Sequence, residues 1–170
     1  MSTDWNAVYR DTYGDLHRFL AGKVWDPERA HDLVQETFVR ALGHDPENPR
    51  AWLFSVAANL ARDEARTAVR RRRHLQLLES EAESRGPQAP EAQASVERDE
   101  LRRLVGHALE LLTERDREVL LMWNAGTGYK DIAETTGLAI GAIGTTLARA
   151  RRRLVEAYEG RENDAALNRG

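Results

Sequence analysis

Cysteine is absent from this chain of 170 residues, and aromatic residues make up only 6% of it. Without cysteine the chain has no disulfide, no thiolate nucleophile and no cysteine-based zinc site. Its five histidines are too widely separated in sequence to predict a metal site. The chain also lacks a glycine-rich phosphate loop with lysine and a nucleophile elbow, so we expect no catalytic residue, no metal and no other cofactor.

Long apolar runs are absent as well. No segment approaches the ~20 consecutive apolar residues that a membrane-spanning helix needs, and the polar N-terminus does not resemble a signal peptide. We expect a soluble, cytoplasmic protein without membrane insertion. A length of 170 residues suits one domain or two small ones.

The formal net charge of −3 is unevenly distributed. Arginines are concentrated in residues 62–74 and 149–153, whereas acidic residues dominate the intervening segment 79–100. Affinity for DNA depends largely on neutralising its phosphates. A chain with alternating basic and acidic blocks is therefore expected to bind DNA weakly alone, and well only when a larger partner positions it.

Apolar residues spaced by three and four predict helices through most of the chain. Three of them form a first lobe over residues 1–78. Residues 79–95 lose this period and are rich in Glu, Ser, Pro, Gln and Ala, which predicts a flexible acidic linker. The period resumes in a second lobe, residues 96–158, followed by a C-terminal tail, residues 159–170. The predicted fold is all-α, with two small helical domains.

The second lobe ends in a helix-turn-helix pattern over residues 127–158. Gly137 lies where the first helix of the pair should end with a positive φ. Apolar residues at spacings of four and three then keep one face of the second helix against a core: Ile143, Leu147, Ala150 and Leu154. The remaining surface is rich in arginine, which predicts that this helix enters a DNA major groove. A solvated basic helix in an ordinary helical domain is the alternative.

The groove-facing part of this second helix carries little charge. We expect base contacts from Thr145, Thr146 and Arg149, with Arg149 roughly opposite the buried stripe. Gly141 and Gly144 are expected inside the helix, where each costs ~1 kcal/mol relative to alanine. A close approach to the DNA backbone would explain both glycines.

The second predicted helix of the first lobe carries a polar surface. Asp32, Gln35, Glu36 and Arg40 lie off its apolar stripe and are expected to be exposed. Asp32 and Glu36 are four residues apart and repel each other mildly, so a cationic partner would relieve them. A solvated acidic face shows the same pattern.

The third predicted helix, which begins near Pro49, becomes basic towards its end. Arg62, Arg66 and Arg70 recur every four residues and form a ridge that could follow phosphates. Asn59 interrupts an apolar neighbourhood with an amide that both donates and accepts hydrogen bonds. A surface or capping role would explain Asn59 equally well.

These motifs, in this order, resemble those of the extracytoplasmic-function (ECF) sigma factors of the bacterial sigma-70 class. The resemblance covers nearly the whole chain and is carried by AHDLVQETFVRA (30–41), PRAWLFSVAANLARDEAR (49–66), LTERDREVLLM (112–122), YKDIAETTGL (129–138) and LARARRRL (147–154). It implies a dissociable, non-enzymatic subunit that directs core RNA polymerase to promoters and helps to open the duplex. It also implies regulation by an anti-sigma factor, and a monomer when free.

The resemblance assigns roles to individual residues. The surface that binds the clamp of the largest polymerase subunit would be Asp32, Gln35, Glu36 and Arg40. The minus-ten element would be contacted by Asn59, which would line a pocket for a flipped base, and by Arg62, Arg66 and Arg70. The second lobe would bind the flap of the second-largest subunit and read the minus-thirty-five element through Lys130, Thr145, Thr146, Arg149, Arg152 and Arg153. Many family members carry basic residues where this chain has Gly144 and Thr146, so the recognised sequence is not predicted.

Two other functions remain open from the residues alone. A free-standing helix-turn-helix regulator would form a stable homodimer and bind a palindromic site. An anti-sigma-like adaptor would make no DNA contact. The sigma-factor interpretation predicts instead a monomer that binds DNA tightly only with polymerase.

Overall fold

The computed structural model describes residues 2–79 and 93–167, with side chains described for 2–70, 96–164 and 166. All regular structure in these residues is α-helical, which confirms the predicted all-α class. The helices are α1 (Trp5–Val24), α2 (Pro27–Ala41), α3 (Pro49–Glu79), α4 (Gln93–Glu110), α5 (Glu114–Asn124), α6 (Tyr129–Thr136) and α7 (Ile140–Leu167).

Capping residues determine where several helices begin and end. The Asp26 carboxylate accepts hydrogen bonds from the backbone N–H groups of Glu28 and Arg29 at the start of α2. The Thr113 hydroxyl accepts one from the backbone N–H of residue 116 at the start of α5. Gly137 ends α6 with φ +73°, the left-handed conformation that glycine adopts without steric cost. The helix end predicted at Gly137 is confirmed.

The first lobe is a three-helix unit in which α1, α2 and α3 all pack on one another. Its fully buried large apolar side chains are Leu16, Phe19 and Leu20 of α1, Leu33 and Val34 of α2, and Leu53 and Phe54 of α3. The rings of Phe19 and Phe54 meet edge to face, with centroids 5.3 Å apart. This packing fixes α3 against α1 and α2, and so sets which faces of α2 and α3 remain at the surface.

The second lobe packs α7 against α4, α5 and α6. The predicted stripe of α7 is confirmed, since Ile143, Leu147 and Ala150 are buried against the core of the lobe. Helix α7 extends to Leu167, so most of the predicted tail continues this helix. The linker predicted over residues 79–95 was too long, because Glu79 and residues 93–95 are helical; residues 80–92 lie outside the described residues.

The two lobes pack against each other, which the sequence did not predict. Buried residues of both lobes form one contiguous apolar cluster, and α1 contacts α5 while α3 contacts α6. One close approach involves Gly22 of α1, because a Cβ placed there would lie 2.7 Å from Cδ2 of Leu121 in α5. A glycine at this position therefore allows the lobes to meet.

A buried carboxylate holds α7 against the start of α5. The Asp116 side chain is only 1% exposed and accepts hydrogen bonds from Arg149 at 2.6 Å and Arg153 at 2.8 Å. The hydrogen bond from Arg149 is the main reason that the pKa of Asp116 lies below its ordinary value, and the same bond raises the pKa of Arg149. Two arginines of the basic helix are thus part of the packing of this lobe.

We expect Asp116→Asn to lower the free energy of unfolding by about 2 kcal/mol near neutral pH, because it removes the charge from a buried acceptor of two guanidinium groups. The pKa of Asp116 is lower in the folded chain than in the unfolded chain. Its stabilising contribution is therefore complete above the unfolded value of about 4 and is lost as the pH falls through the folded value. Urea unfolding of both proteins between neutral and strongly acidic pH measures this difference.

The matched control is Glu156→Gln, which breaks the exposed pair of Glu156 with Arg152, in which the closest atoms are 3.9 Å apart. Exposed pairs of this kind contribute little, so we expect a change below about 0.5 kcal/mol at every pH. Equal effects of the two substitutions would contradict a special role for the buried carboxylate.

Candidate functional site

The polar surface of α2 is exposed, and its acids already have cationic neighbours. Glu36 lies 2.7 Å from Arg40 in the same helix, whereas Asp32 lies 3.9 Å from an Arg29 that is bound by Glu64 of α3 at 2.7 Å. The repulsion expected between the two acids is therefore partly offset inside α2, mainly by Arg40. Gln35 donates a hydrogen bond to the Tyr9 hydroxyl at 3.2 Å, which ties it to α1.

Two large apolar side chains adjoin this polar surface. Val39 and Leu42, at the C-terminal end of α2, are 66% and 64% exposed. Together with Asp32, Glu36 and Arg40 they give one side of the helix both charge and apolar area. That combination suits contact with another protein more than contact with phosphates.

Asn59 and Arg62 lie where α3 faces the second lobe. The Asn59 side-chain oxygen accepts a hydrogen bond from Arg62 at 2.8 Å. Arg62 also forms an ion pair with Glu114 and lies 3.7 Å from Glu118, both on α5. The hydrogen bond with Glu114 raises the pKa of Arg62 and lowers that of Glu114. The first arginine of the predicted ridge is therefore directed at acids of the other lobe.

The other two arginines of the ridge lie towards solvent. Arg66 is exposed and lies 3.7 Å from the equally exposed Asp63, and Arg70 is also exposed. A cleft of about 430 Å³ lies between α3 and the second lobe, and Asn59 and Arg62 line its α3 side. The four residues predicted to contact the minus-ten element thus all lie on α3, but the Arg62 side chain is bound to an acid of the second lobe.

The outward face of α7 differs from the one expected. At about 100° per residue, Arg152 lies about 180° from Ile143 around the helix, whereas Arg149 lies only about 120° away. Thr145 is exposed, and the Arg152 side chain is 71% exposed. Arg149 and Arg153 instead contact Asp116. Arg152, rather than Arg149, therefore lies on the face of α7 opposite its buried stripe.

Thr146 is buried, at 4% exposed, which contradicts the expected base contact. It lies three residues after Ile143 and four before Ala150, on the side of α7 that packs into the lobe. Threonine side chains occur both in cores and at surfaces, so the residue type did not predict whether Thr146 points into the lobe or towards solvent. Lys130, near the start of α6, is exposed.

The two glycines of α7 have different environments. Gly141 is the second residue of the helix and has open space around it, so the cost expected of an interior glycine does not apply there. A Cβ at Gly144 would lie 3.6 Å from the Tyr129 hydroxyl oxygen, an ordinary contact distance. The neighbour of Gly144 in this structure is thus an aromatic ring of α6.

In the part of the chain that the structure describes, no group of three or more histidine and acidic side chains is arranged to hold a metal ion. Among the same residues, no helix is both long and apolar enough to cross a membrane. The surfaces built by the described residues are an exposed polar and apolar face on α2, a basic α3 and a helix-turn-helix formed by α6 and α7.

Two segments of the chain match known families. Residues 8–73 match the family described as Sigma-70 region 2, and residues 102–154 match Sigma-70, region 4. The first match contains the α2 and α3 surfaces, and the second contains the helix-turn-helix. Both matches fall in the order expected from the sequence motifs.

Curated relatives resemble the chain over most of its length. It is 34% identical to the ECF RNA polymerase sigma factor EcfG of Rhodopseudomonas palustris, over 82% of this chain and 76% of the relative. It is 33% identical to the ECF RNA polymerase sigma factor SigL of Mycobacterium tuberculosis, over 87% and 85%. Its identity with the ECF RNA polymerase sigma factor SigM of Bacillus subtilis is 29%, over 92% and 96%.

Solved structures share the fold. The sigma factor RpoE of Bartonella quintana, in complex with the anti-sigma factor NepR, is 26% identical with a TM-score of 0.54, over 92% of this chain and 97% of that one. CnrH, in complex with the cytosolic domain of CnrY, gives a TM-score of 0.61 at 24% identity, over 92% and 88%. With two sigma-70 regions in order and relatives more than 30% identical over most of their length, the chain belongs to the ECF RNA polymerase sigma factors of the sigma-70 class.

Proposed function

We propose that this ECF sigma factor acts in the cytoplasm as a dissociable, non-enzymatic subunit that binds core RNA polymerase, directs it to promoters and helps to open the duplex. The observation that carries the proposal is the pair of sigma-70 regions, which lie in order on two helical lobes. Nucleotidyl transfer belongs to the polymerase, and we assign this chain no catalytic residue.

The first lobe, residues 1–78, would dock on the clamp of the largest polymerase subunit and contact the minus-ten element. The exposed polar and apolar face of α2 supports the docking role, and the basic end of α3 supports the DNA role. The second lobe, residues 96–158, would read the minus-thirty-five element and contact the flap of the second-largest subunit. Its helix-turn-helix supports DNA reading by Lys130, Thr145 and Arg152, which are exposed.

Arg149 and Arg153 would then act mainly by holding α7 in place. Both guanidinium groups contact the buried Asp116, so an aligned recognition helix depends on them whether or not they also reach DNA. A positioning role explains their sequence spacing of four, since both reach the same carboxylate from successive turns.

A free-standing helix-turn-helix regulator is not favoured. That function gives no reason for a sigma-70 region 2 in the same chain, and the first lobe carries one over residues 8–73. An anti-sigma partner is proposed by analogy with the Bartonella quintana relative, which was solved in complex with NepR.

Reconstituted run-off transcription tests the proposal. Core polymerase alone should give no promoter-specific transcript, and addition of this chain should give one. Asp32→Arg with Glu36→Arg should lower the affinity for core enzyme about tenfold or more, because it reverses two charges on an exposed docking face. A pull-down with core enzyme measures this change, while circular dichroism checks that the helices are intact.

The control for this pair is Glu156→Arg with Glu159→Arg, which makes the same change in net charge on exposed residues of α7. We expect core binding within about twofold of wild type, since exposed substitutions away from an interface change little. Loss of core binding in both proteins, or in neither, would remove the α2 face from the proposed interface.

Asn59→Ala should slow open-complex formation on duplex promoter DNA by about tenfold, because a flipped base loses one edge hydrogen bond. On a template with a premelted bubble the defect should be smaller, since the unpairing cost has already been met. Stopped-flow or filter-binding kinetics on the two templates measure the difference. Asn6→Ala, an exposed asparagine of α1, is the control. Equal defects on both templates would assign Asn59 to folding or docking instead.

A further inference from the structure

A small cavity lies where α1 and α3 of the first lobe meet α4 and α5 of the second. Its volume is about 150 Å³, which is room for a small ion or several water molecules. Among the described residues that line it, the cations are Lys23, Arg62 and Arg117, and the acids are Glu110 and Glu114. This excess of positive charge favours an anion as the occupant.

Both acids of the cavity already have a basic neighbour. Glu114 forms an ion pair with Arg62, and a carboxylate oxygen of Glu110 lies 3.5 Å from Nδ1 of His107. The first of these pairs also occupies Arg62. It leaves the other two cations of the cavity as the groups whose surroundings need an explanation.

Lys23 is a nearly buried cation with a distant partner. Its side chain is 7% exposed, and its ion pair with Glu118 spans 3.7 Å. That distance is too long for a hydrogen bond, and the Glu118 Oε1 atom has no hydrogen-bond partner among the described residues. Burial lowers the pKa of Lys23, an effect that the Glu118 charge opposes and the Arg117 charge adds to. An anion beside Lys23 would therefore stabilise its charged form.

Arg117 brings a second donor without a partner to the same cavity. Its Nε atom is buried and has no hydrogen-bond partner within the described part of the chain. Buried donors of this kind are rare in folded proteins, because each has lost its water without a replacement. One oxyanion has several acceptor sites, so it could accept hydrogen bonds from both Lys23 and Arg117.

A wider cleft of about 640 Å³ adjoins the cavity, and Trp25 lines both. Trp25 is 43% exposed and has φ +58°, a left-handed conformation that is uncommon for a bulky residue. A Cβ at Gly106 of α4 would lie 3.4 Å from Trp25 Cε2, so the ring packs closely against the backbone of α4. The exposed part of the ring offers a flat apolar surface beside the cationic cavity, and a nucleic acid base can stack on such a surface.

Acids that line the wider cleft are engaged as well. Glu64 binds Arg29 at 2.7 Å, and Asp99 lies 4.0 Å from Arg102. The Asp26 carboxylate caps the start of α2. The cleft therefore does not repel an anion as strongly as its number of acids suggests.

We propose that the cavity and the cleft form one binding site for a small nucleotide, with the phosphate between Lys23 and Arg117 and the base stacked on Trp25. The combined space suits a ligand of that size. The phosphate supplies acceptors for two buried donors and reduces the repulsion between two cations. Because the lining comes from both lobes, the bound nucleotide contacts both and stabilises the folded chain. The site is separate from the promoter and polymerase surfaces, so the proposal does not rest on the proposed function.

Arg117→Gln tests the phosphate end of the site. It removes one cation, whereas a change of Lys23 would leave the buried Glu118 without its partner. Arg10→Gln is the matched control, because it makes the same change in charge at an exposed position of α1. Trp25→Asn tests the base end, since asparagine accepts a left-handed backbone and has no ring.

A further variant fills the site without changing any charge. Ala65 of α3 is exposed and lines both the cavity and the cleft, so Ala65→Leu places a larger side chain in the proposed site. Leucine suits a helix nearly as well as alanine, which keeps α3 intact. Ala166→Leu makes the same change at an exposed position near the end of α7 and is the control.

Isothermal titration calorimetry of the full chain at constant ionic strength measures binding of three probes: adenosine monophosphate, inorganic phosphate and adenosine. Any base can stack on an aromatic ring, so one nucleotide represents the class. We expect adenosine monophosphate to bind wild type at one site with a Kd below about 1 mM, and the other two probes to bind at least about tenfold more weakly. The nucleotide should also raise the melting temperature.

Arg117→Gln and Ala65→Leu should each lower the affinity for adenosine monophosphate about tenfold or more, while both controls stay within about twofold of wild type. Trp25→Asn should lower the affinity for the nucleotide and leave that for inorganic phosphate unchanged. Circular dichroism checks that every variant is folded, and if Ala65→Leu is not, Arg117→Gln decides.

Three results would overturn the proposal. One is the absence of saturable nucleotide binding to wild type. Another is equal affinity for inorganic phosphate and the nucleotide, which would leave no role for Trp25. The third is an equal loss of affinity in Arg10→Gln and Arg117→Gln, which would indicate general attraction of anions to a basic surface.

Discussion

The burial of the Asp116 carboxylate between two arginines is the interaction on which the second lobe depends. A buried charge is costly unless it is paired, so Arg149 and Arg153 are committed to α5 before any DNA is present. That commitment fixes the rotation of α7 about its axis. It therefore determines that Thr145 and Arg152 are outward and that Thr146 is inward.

Local signals predicted the helices and failed for residues whose direction is set by distant partners. The caps at Asp26, Thr113 and Gly137 could be found in the sequence because capping involves residues within one turn. The pairing of Arg149 with Asp116 spans 33 residues and leaves no periodic signature. An acid in the first turn of a helix is explained well enough by the helix dipole, so nothing in the sequence marked Asp116 as buried.

The contact between the lobes was missed for a related reason. A proline- and serine-rich segment between two periodic regions indicates freedom of movement, but says nothing about whether the regions attract each other. Gly22 shows where such an attraction could have been suspected, because a glycine inside a helix is a cost that close packing can offset. Its partner Leu121 lies about 100 positions away and carries no matching signal.

The internal pairing of charges on α2 has a consequence for recognition. Glu36 already has Arg40 beside it at 2.7 Å, so an incoming cation at Glu36 exchanges one partner for another rather than neutralising a bare charge. Such an exchange contributes little net electrostatic energy to binding of the correct partner. A partner with misplaced or like charges breaks the original ion pair and forms no new one, which weakens its binding. Electrostatics on this surface therefore discriminate among partners more than they strengthen binding, and the apolar ends of Val39 and Leu42 are left to supply the affinity.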